Sequence, residues 1–401
     1  MTYVVVLGYH SVADIQRCVE SLLKTNYPAG RWRIVVVDND SRPETRELLA
    51  SYGELIDVLT QATNTGYAGG MNIGIRHALH MGADFVVLLN QDTEVDPEWL
   101  THLVMAAESD PRIGAVQPRI MLGRPTNFSP SRVEGERPVP ARASGEGVGG
   151  EGLINSIGNH IHILGFGFAG GHRERWTDLR SRLHGYPYPE VTYPSGAAVL
   201  YRAKALRDIA FPRSAPSFRA SSEKSHNDHL EELQYLDEDY FLYHEDLDIG
   251  VRLWMRGWRC VLAPSAVVTH HYEFSRSIAK LYWMERNRIL FLLQNFRIPT
   301  LLLLAPVLML SELGLLILAK RGGWLSQKLK AWRSILSPSK WGTYLRHRRA
   351  KQSKRMVGDH VVLARFTARL TNQEMPSAFV DTYVNPVIAT WWRCVRPLIF
   401  W

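Results

Sequence analysis

The chain has 401 residues, 46% of them hydrophobic, and a formal net charge of +8. That is enough for one large domain with an appendage, or for two domains, and too apolar for a chain disordered throughout. Three cysteines, Cys18, Cys260 and Cys394, stand far apart with no CxxC pair, which argues against a zinc ribbon or a disulfide framework.

The first 120 residues alternate strand and helix. Met1 to Leu7 lacks a basic leader and reads as a strand rather than a signal peptide, so the catalytic part is expected in the cytosol. Residues 3–7 form a continuous apolar run, as in a strand buried on both faces. Ile15, Cys18, Val19, Leu22 and Leu23 fall at helical spacing. Ile34 to Val37 is a second strand, ending at Asp38. Ser41-Arg42-Pro43-Glu44 has the form of a capping box with an early proline. Leu55 to Leu59 is a third strand, Asn72 to Met81 a helix and Phe85 to Leu89 a fourth strand. Asp96 is expected to cap the next helix. This order predicts an α/β fold with a doubly wound, mostly parallel sheet, whose ligands bind at the carboxyl ends of the strands. Asp38 and Asp92 stand at two such ends. Residues 124–152 and 214–232 read as mobile insertions. Tyr193 to Tyr201 reads as a turn feeding a strand.

Three constellations carry chemistry. Carboxylates gather at Asp38, at Asp92, and in the runs Asp237-Glu238-Asp239 and Glu245-Asp246-Leu247-Asp248. Oxygen ligands suit Mg²⁺ or Mn²⁺ beside a diphosphate, and a separate carboxylate can take a proton from an attacking hydroxyl. Asn64 to Asn72 is glycine-rich and opens a helix, but is neither a Walker motif nor a GxGxxG fingerprint. His270-His271 follows the strand-like run Ala266 to Thr269, and histidine is a common metal ligand. Any one of these alone fits helix caps, tight turns and core packing as well.

Taken together and in order, the set resembles glycosyltransferase family 2. The residues are Val4 to Ser11, Val36-Val37-Asp38-Asn39, Asn64 to Asn72, Asn90-Gln91-Asp92-Thr93, Ser195-Gly196-Ala197, His244 to Asp248, Gly257-Trp258 and His270. The likeness is nearest to rhamnosyltransferase and galactofuranosyltransferase members and covers about residues 3–296. It implies a GT-A fold and inversion at the anomeric carbon. It implies that Asp38 contacts the nucleotide base near Tyr9, that Asp92 and His270 hold Mg²⁺ or Mn²⁺, and that Asp246 is the general base. Asn39, Gly66, Gly70, Asn72, Gln91, Gly196 and Glu245 are expected around the nucleotide sugar, and Arg286 of the run Arg286-Asn287-Arg288 at its diphosphate. Gly257 and Trp258 are expected to pack. Asn90-Gln91-Asp92 has only one acidic outer position, so the metal is expected to lean on His270 and the diphosphate.

Residues 1–296 are accordingly expected to be the catalytic domain and residues 297–401 a helical, membrane-associating region. Residues 298–319 are almost wholly apolar, broken by Pro299, Pro306 and Glu312. Residues 320–355 are rich in Lys and Arg, without acids and with interleaved tryptophan, a composition suited to an anionic membrane surface. A single crossing would place that basic cluster outside, against the positive-inside rule. An in-plane or re-entrant placement at the cytoplasmic face is expected instead. The expected donor is a dTDP-, UDP- or GDP-sugar and the acceptor a saccharide or lipid-linked saccharide of cell-surface polysaccharide synthesis. No nucleic-acid partner is expected, since the basic segment is joined to an apolar run that RNA or DNA would not require, and homo-oligomerisation is left open. The rival readings are a nucleotidyltransferase, for which Gly8-Tyr9-His10-Ser11 lacks the usual lysine, and a non-catalytic membrane-bound scaffold.

Overall fold

The computed structural model describes residues 1–123, 152–183, 185–213, 232–271, 278–371, 378 and 380–401. The two insertions expected at 124–152 and 214–232 lie almost wholly outside these residues.

Four parallel strands build half of the main sheet: β1 (Thr2–Gly8), β2 (Trp32–Asn39), β3 (Asp57–Gln61) and β4 (Phe85–Asn90). Then come β5 (Thr93–Val95), β6 (Ile113–Leu122), β7 (Ile154–Ser156), β8 (Asn159–Ile161), β9 (Gly167–Ala169), β10 (Ala198–Arg202), β11 (Phe211–Pro212), β12 (Leu233–Gln234) and β13 (Arg259–His270). The sheet order is β3-β2-β1-β4-β10-β6-β13-β5, with β7 beside β6. The expected parallel core is present, but β10 runs antiparallel between β4 and β6.

The crossover helices are α1 (Val12–Leu22), α2 (Pro43–Ser51), α3 (Gly66–His80) and α4 (Trp99–Glu108). Side chains alternate across a strand, and here both faces are buried. Val4, Val6, Ile34 and Val36 pack against α1 and α4. Val5, Val35 and Val37 pack on the other face, against Met71 and Ile75 of α3. The unbroken apolar runs of β1 and β2 follow from that.

Three local expectations are corrected. The helix foreseen from Asn72 begins at Gly66, so the glycine-rich stretch is helix rather than loop. Its glycines let α3 lie on β1: a Cβ at Gly70 would stand 2.3 Å from Leu7 Cδ1. The capping box at Ser41 does not form; Arg42 is the cap residue and makes no side-chain cap bond. Instead the Ser41 N–H donates to Asp38 Oδ1 at 2.9 Å. Asp96 shapes a turn before α4 rather than capping it, accepting from the Glu98 N–H at 3.1 Å.

The remaining helices are α5 (Trp176–Arg182), α6 (Ala203–Ile209), α7 (Glu245–Met255), α8 (Ile278–Asn295), α9 (Ile298–Arg321), α10 (Leu325–Ile335), α11 (Pro338–Ser353), α12 (Asp359–Leu363) and α13 (Asn385–Val395). The boundary foreseen at residue 296 is bridged by one apolar core. Val307, Ile335, Tyr344, Leu363, Ile388 and Trp392 belong to the same cluster as Val5, Leu253 and Phe291.

Candidate active site

The carboxyl edge of β1, β2 and β4 is built by backbone turns that few residues adopt. His10 and Asp40, just past β1 and β2, have φ of 57° and 67°. Such conformations cost about 1–3 kcal/mol each and persist where the surroundings fix them. Gln91 fixes the first: its Oε1 accepts from the Tyr9 N–H at 2.7 Å and its Nε2 donates to the Tyr9 carbonyl at 3.0 Å. Asp38 is fully buried and accepts from Ser41 N–H and from Arg46 Nε at 3.1 Å. Asn39 accepts from the Thr65 N–H and hydroxyl, both at 2.9 Å, and donates to Asn64 Oδ1 at 3.1 Å.

The Asn39, Gln91 and Asn72 amides are each engaged by the protein's own groups and fix the local backbone. Asn72 is fully buried; its Oδ1 accepts from the Tyr235 and Leu236 N–H groups, and its Nδ2 donates to the Leu236 carbonyl at 2.8 Å.

Asp92 and His270 are brought together by a strand pairing absent from any local pattern. β13 runs antiparallel to β5, with His270 opposite Thr93. His270 Nε2 stands 3.2 Å from Asp92 Oδ1. On its other edge, His270 Nδ1 lies 3.3 Å from Asn155 Oδ1. An amide oxygen accepts only, so Nδ1 carries the hydrogen and Nε2 faces the carboxylate. Burial alone would raise the Asp92 pKa, but the charge that His270 carries when doubly protonated, with its hydrogen bond, outweighs it and holds the carboxyl below its ordinary range. An ionised carboxylate beside an imidazole nitrogen, with Asn155 orienting the ring from behind, fits a divalent cation.

The second acidic centre is the start of α7. Asp246 Oδ2 accepts from the Gly196 N–H at 3.1 Å and Oδ1 from the Leu247 N–H at 2.8 Å. Burial raises its pKa to about 6, against the lowering effect of these N–H groups. Glu245 beside it is buried, and burial together with the Asp246 charge pushes its pKa well above the carboxylate range. The two centres meet at one turn. The Ala197 carbonyl accepts from the Asn90 N–H at 2.9 Å, and the Gly196 carbonyl from the Tyr67 hydroxyl at 2.6 Å. The pKa of that hydroxyl is raised by burial and by the charges of Glu245, Asp246 and Asp92. Gly66 places α3 against this corner: its φ is +72°, and a Cβ there would stand 2.4 Å from the Phe241 ring.

The backbone before α7 is strained. Phe241, Tyr243 and His244 have φ of 61°, 68° and 72°. The Asn287 amide donates to the carbonyls of Tyr240, Leu242 and Tyr243 at 2.8–2.9 Å. Arg286 is buried; Nη1 donates to the Asp239 carbonyl and, at 2.9 Å, to Asn287 Oδ1. That hand of the guanidinium faces inward, which the expected diphosphate contact did not foresee.

Asp237, Asp239 and His347 also cluster. Lys351 Nζ lies 2.7 Å from Asp237 Oδ2 and 2.8 Å from Asp248 Oδ1. Lys351 and His347 already pair with Asp237, and Lys351 and Arg252 with Asp248, which draws the group into an ion-pair network. Sequence reasoning missed Asn155, Tyr67, Asn287, His347 and Lys351. Only the flanking Arg-Asn-Arg run hinted at Asn287.

The topology, the glycine-packed α3 and the mixed sheet are those of a GT-A fold. The model of the family described as "Glycosyl transferase family 2" matches residues 3–209, just over half of the chain, and the chain belongs to that family. The protein is a glycosyltransferase. It is similar to the N-acetylglucosaminyl-diphospho-decaprenol L-rhamnosyltransferase of Mycobacterium tuberculosis (strain ATCC 25618 / H37Rv), 26% identical over 68% of this chain and 76% of the relative. The low-salt glycan biosynthesis hexosyltransferase Agl10 of Haloferax volcanii is 30% identical over 32% of this chain and 40% of its own. Among solved structures, the mannosyltransferase PcManGT from Pyrobaculum calidifontis, in complex with GDP-Man and Mn²⁺, is similar with a TM-score of 0.45. It is 15% identical, over 88% of this chain and 86% of its own.

Proposed function

We propose that the enzyme transfers a sugar, with inversion, from a nucleotide-sugar donor to a lipid-linked saccharide used in cell-surface polysaccharide synthesis. The observation that carries this is the turn Gly196-Ala197, which binds Asp246 on one side and the Asp92 strand on the other. A carboxylate with a pKa near 6 is ionised at neutral pH yet basic enough to draw a proton from an acceptor hydroxyl. Tyr67 and the two N–H groups fix its orientation. Asp92 and His270 would hold Mg²⁺ or Mn²⁺, which when bound neutralises the charge of the departing diphosphate. Tyr9 and the strained edge of β1 and β2 line the place for the nucleotide, with buried Asp38 holding the turn after β2 through Ser41 and Arg46. The acceptor class is supported by the mycobacterial relative, whose name specifies a diphospho-decaprenol-linked sugar.

The membrane reading rests on α9. This helix has 24 residues and is long and apolar enough to cross a bilayer by length and composition. One face packs inward through Thr300, Leu304, Val307 and Ala319. On the other, Ile298, Leu302, Met309, Leu313 and Ile317 are exposed at helical spacing. Glu312 is tied to Arg288 and Lys328. A helix fastened along one side by its own domain, with Arg297 before it and Lys320 and Arg321 at its end, suits in-plane burial at the anionic cytoplasmic surface.

The reaction is tested by a hydrolysis and transfer screen over UDP-, dTDP- and GDP-sugars, with Mn²⁺, Mg²⁺ or chelator and Asp246→Asn as control. The product anomer is read by NMR. Binding of none of the donors, or a retained anomer, would sink the proposal. Flotation with phosphatidylglycerol vesicles tests the membrane reading. Leu302→Ser/Leu313→Ser should release the protein, and unchanged flotation would count against α9.

A further inference from the structure

We infer that Asn287 is a positioning residue that holds the turn before α7 in the shape that aims Asp246, with α11 gripping the same segment from its other end. The inference rests on Asp246 being the base.

The segment from Asp237 to His244 leads directly into Glu245-Asp246. Its last four residues include three non-glycine residues in the left-handed half of backbone space, Phe241, Tyr243 and His244. Such a turn relaxes unless it is held. No regular ladder holds it: the segment contains one three-residue turn, Glu238–Tyr240, and no strand. The holding groups come from three helices distant in sequence: α3, whose Ala68 N–H donates to the Phe241 carbonyl at 3.3 Å, α8 and α11.

From α8, Asn287 is fully buried, and its two N–H bonds are spread over three consecutive-turn carbonyls, those of Tyr240, Leu242 and Tyr243. The geometry also sets which end of the amide faces the turn, because Arg286 Nη1 donates to Asn287 Oδ1. Arg286 in turn donates to the Asp239 carbonyl and lies against Trp283 and Tyr344. From α11, Lys351 and His347 grip Asp237, and Lys351 also reaches Asp248 in the first turn of α7. Asn72 closes the near end by binding the Tyr235 and Leu236 backbone. None of these side chains touches the place of the reacting atoms through the contacts described. Their shared effect is the position of the Asp246 carboxylate relative to Gly196. Arg286 of the Arg-Asn-Arg run is the residue expected at the diphosphate; its neighbour Asn287 serves the acceptor side of the reaction.

The test separates turnover from donor binding. Asn287→Ala and Asp246→Asn are compared with wild type in the full chain, with the nucleotide sugar that the wild type hydrolyses. Donor Kd is measured by calorimetry and kcat by transfer. For Asn287→Ala, kcat should fall tenfold to a hundredfold, the scale of a displacement near 1 Å at a reacting group, while donor Kd stays within twofold. Asn287→Gln, which keeps the amide donor, should recover part of the loss. If Asn287→Ala binds no donor, the same comparison is made on Asn287→Ser. A kcat within twofold of wild type, or a parallel loss of kcat and donor binding in both variants, overturns the inference. The base reading fails separately, if Asp246→Asn keeps near-normal turnover.

Discussion

Asp246→Asn should abolish transfer and, above neutral pH, make the protein more stable. Burial raises the Asp246 pKa from 3.8 to about 6, so the folded state prefers the protonated acid more than the unfolded chain does. The stability this preference gives is complete below the unfolded pKa and is lost as pH rises through the folded one. A shift of roughly two units, at 1.36 kcal/mol each, makes the loss about 3 kcal/mol. Asparagine avoids it but cannot accept from both Gly196 and Leu247, at a cost of about 1 kcal/mol. The variant should therefore be about 2 kcal/mol more stable than wild type at pH 8 and about 1 kcal/mol less stable at pH 4. Urea unfolding at both pH values reads the difference directly. A constant offset between the two proteins across this range would refute the account of Asp246 as a half-buried, poised base.

Removing Lys351 strands two buried carboxylates, Asp237 and Asp248, whose pKa values are held below the ordinary range against burial by Lys351 and its neighbours. Lys351→Met should cost about 3–5 kcal/mol in urea unfolding, and Lys351→Met/Asp237→Asn less; equal losses would mean the pairing carries no weight. Asp92→Asn and His270→Ala should each lose the dependence of donor hydrolysis on added divalent cation, and a variant still fully responsive to chelator would remove that residue from the site. Gly70→Ala drives a Cβ to 2.3 Å from Leu7 Cδ1 and should cost about 1–3 kcal/mol by overpacking; an unchanged melting midpoint would show that α3 can withdraw from β1. The transfer rate should rise with pH through about 6 as Asp246 ionises; a rate flat between pH 5 and 7 would assign the proton transfer elsewhere.

The sequence by itself determined the parallel half of the sheet. The runs Tyr3 to Leu7, Ile34 to Val37 and Phe85 to Leu89 are apolar on both faces, and only a strand covered by helices on both sides uses them fully. It also placed acids at strand ends, because Asp38 and Asp92 directly follow those runs. The two centres carried by distant segments were another matter. His270 meets Asp92 through the β13–β5 pairing, Asp246 meets the Asn90 strand through Gly196-Ala197, and no local periodicity encodes a pairing across more than a hundred residues. The antiparallel β10 was hidden for the same reason: strand direction depends on how the chain returns to the sheet. Tertiary structure also decided the direction in which each polar side chain faces. Asn39, Asn72 and Gln91 lie beside the pocket in sequence, yet buried backbone N–H and carbonyl groups need partners, and these amides supply them. The same requirement joined the two halves of the chain, since Lys351 from α11 stands between the buried carboxylates of Asp237 and Asp248, beside Arg252 and His347.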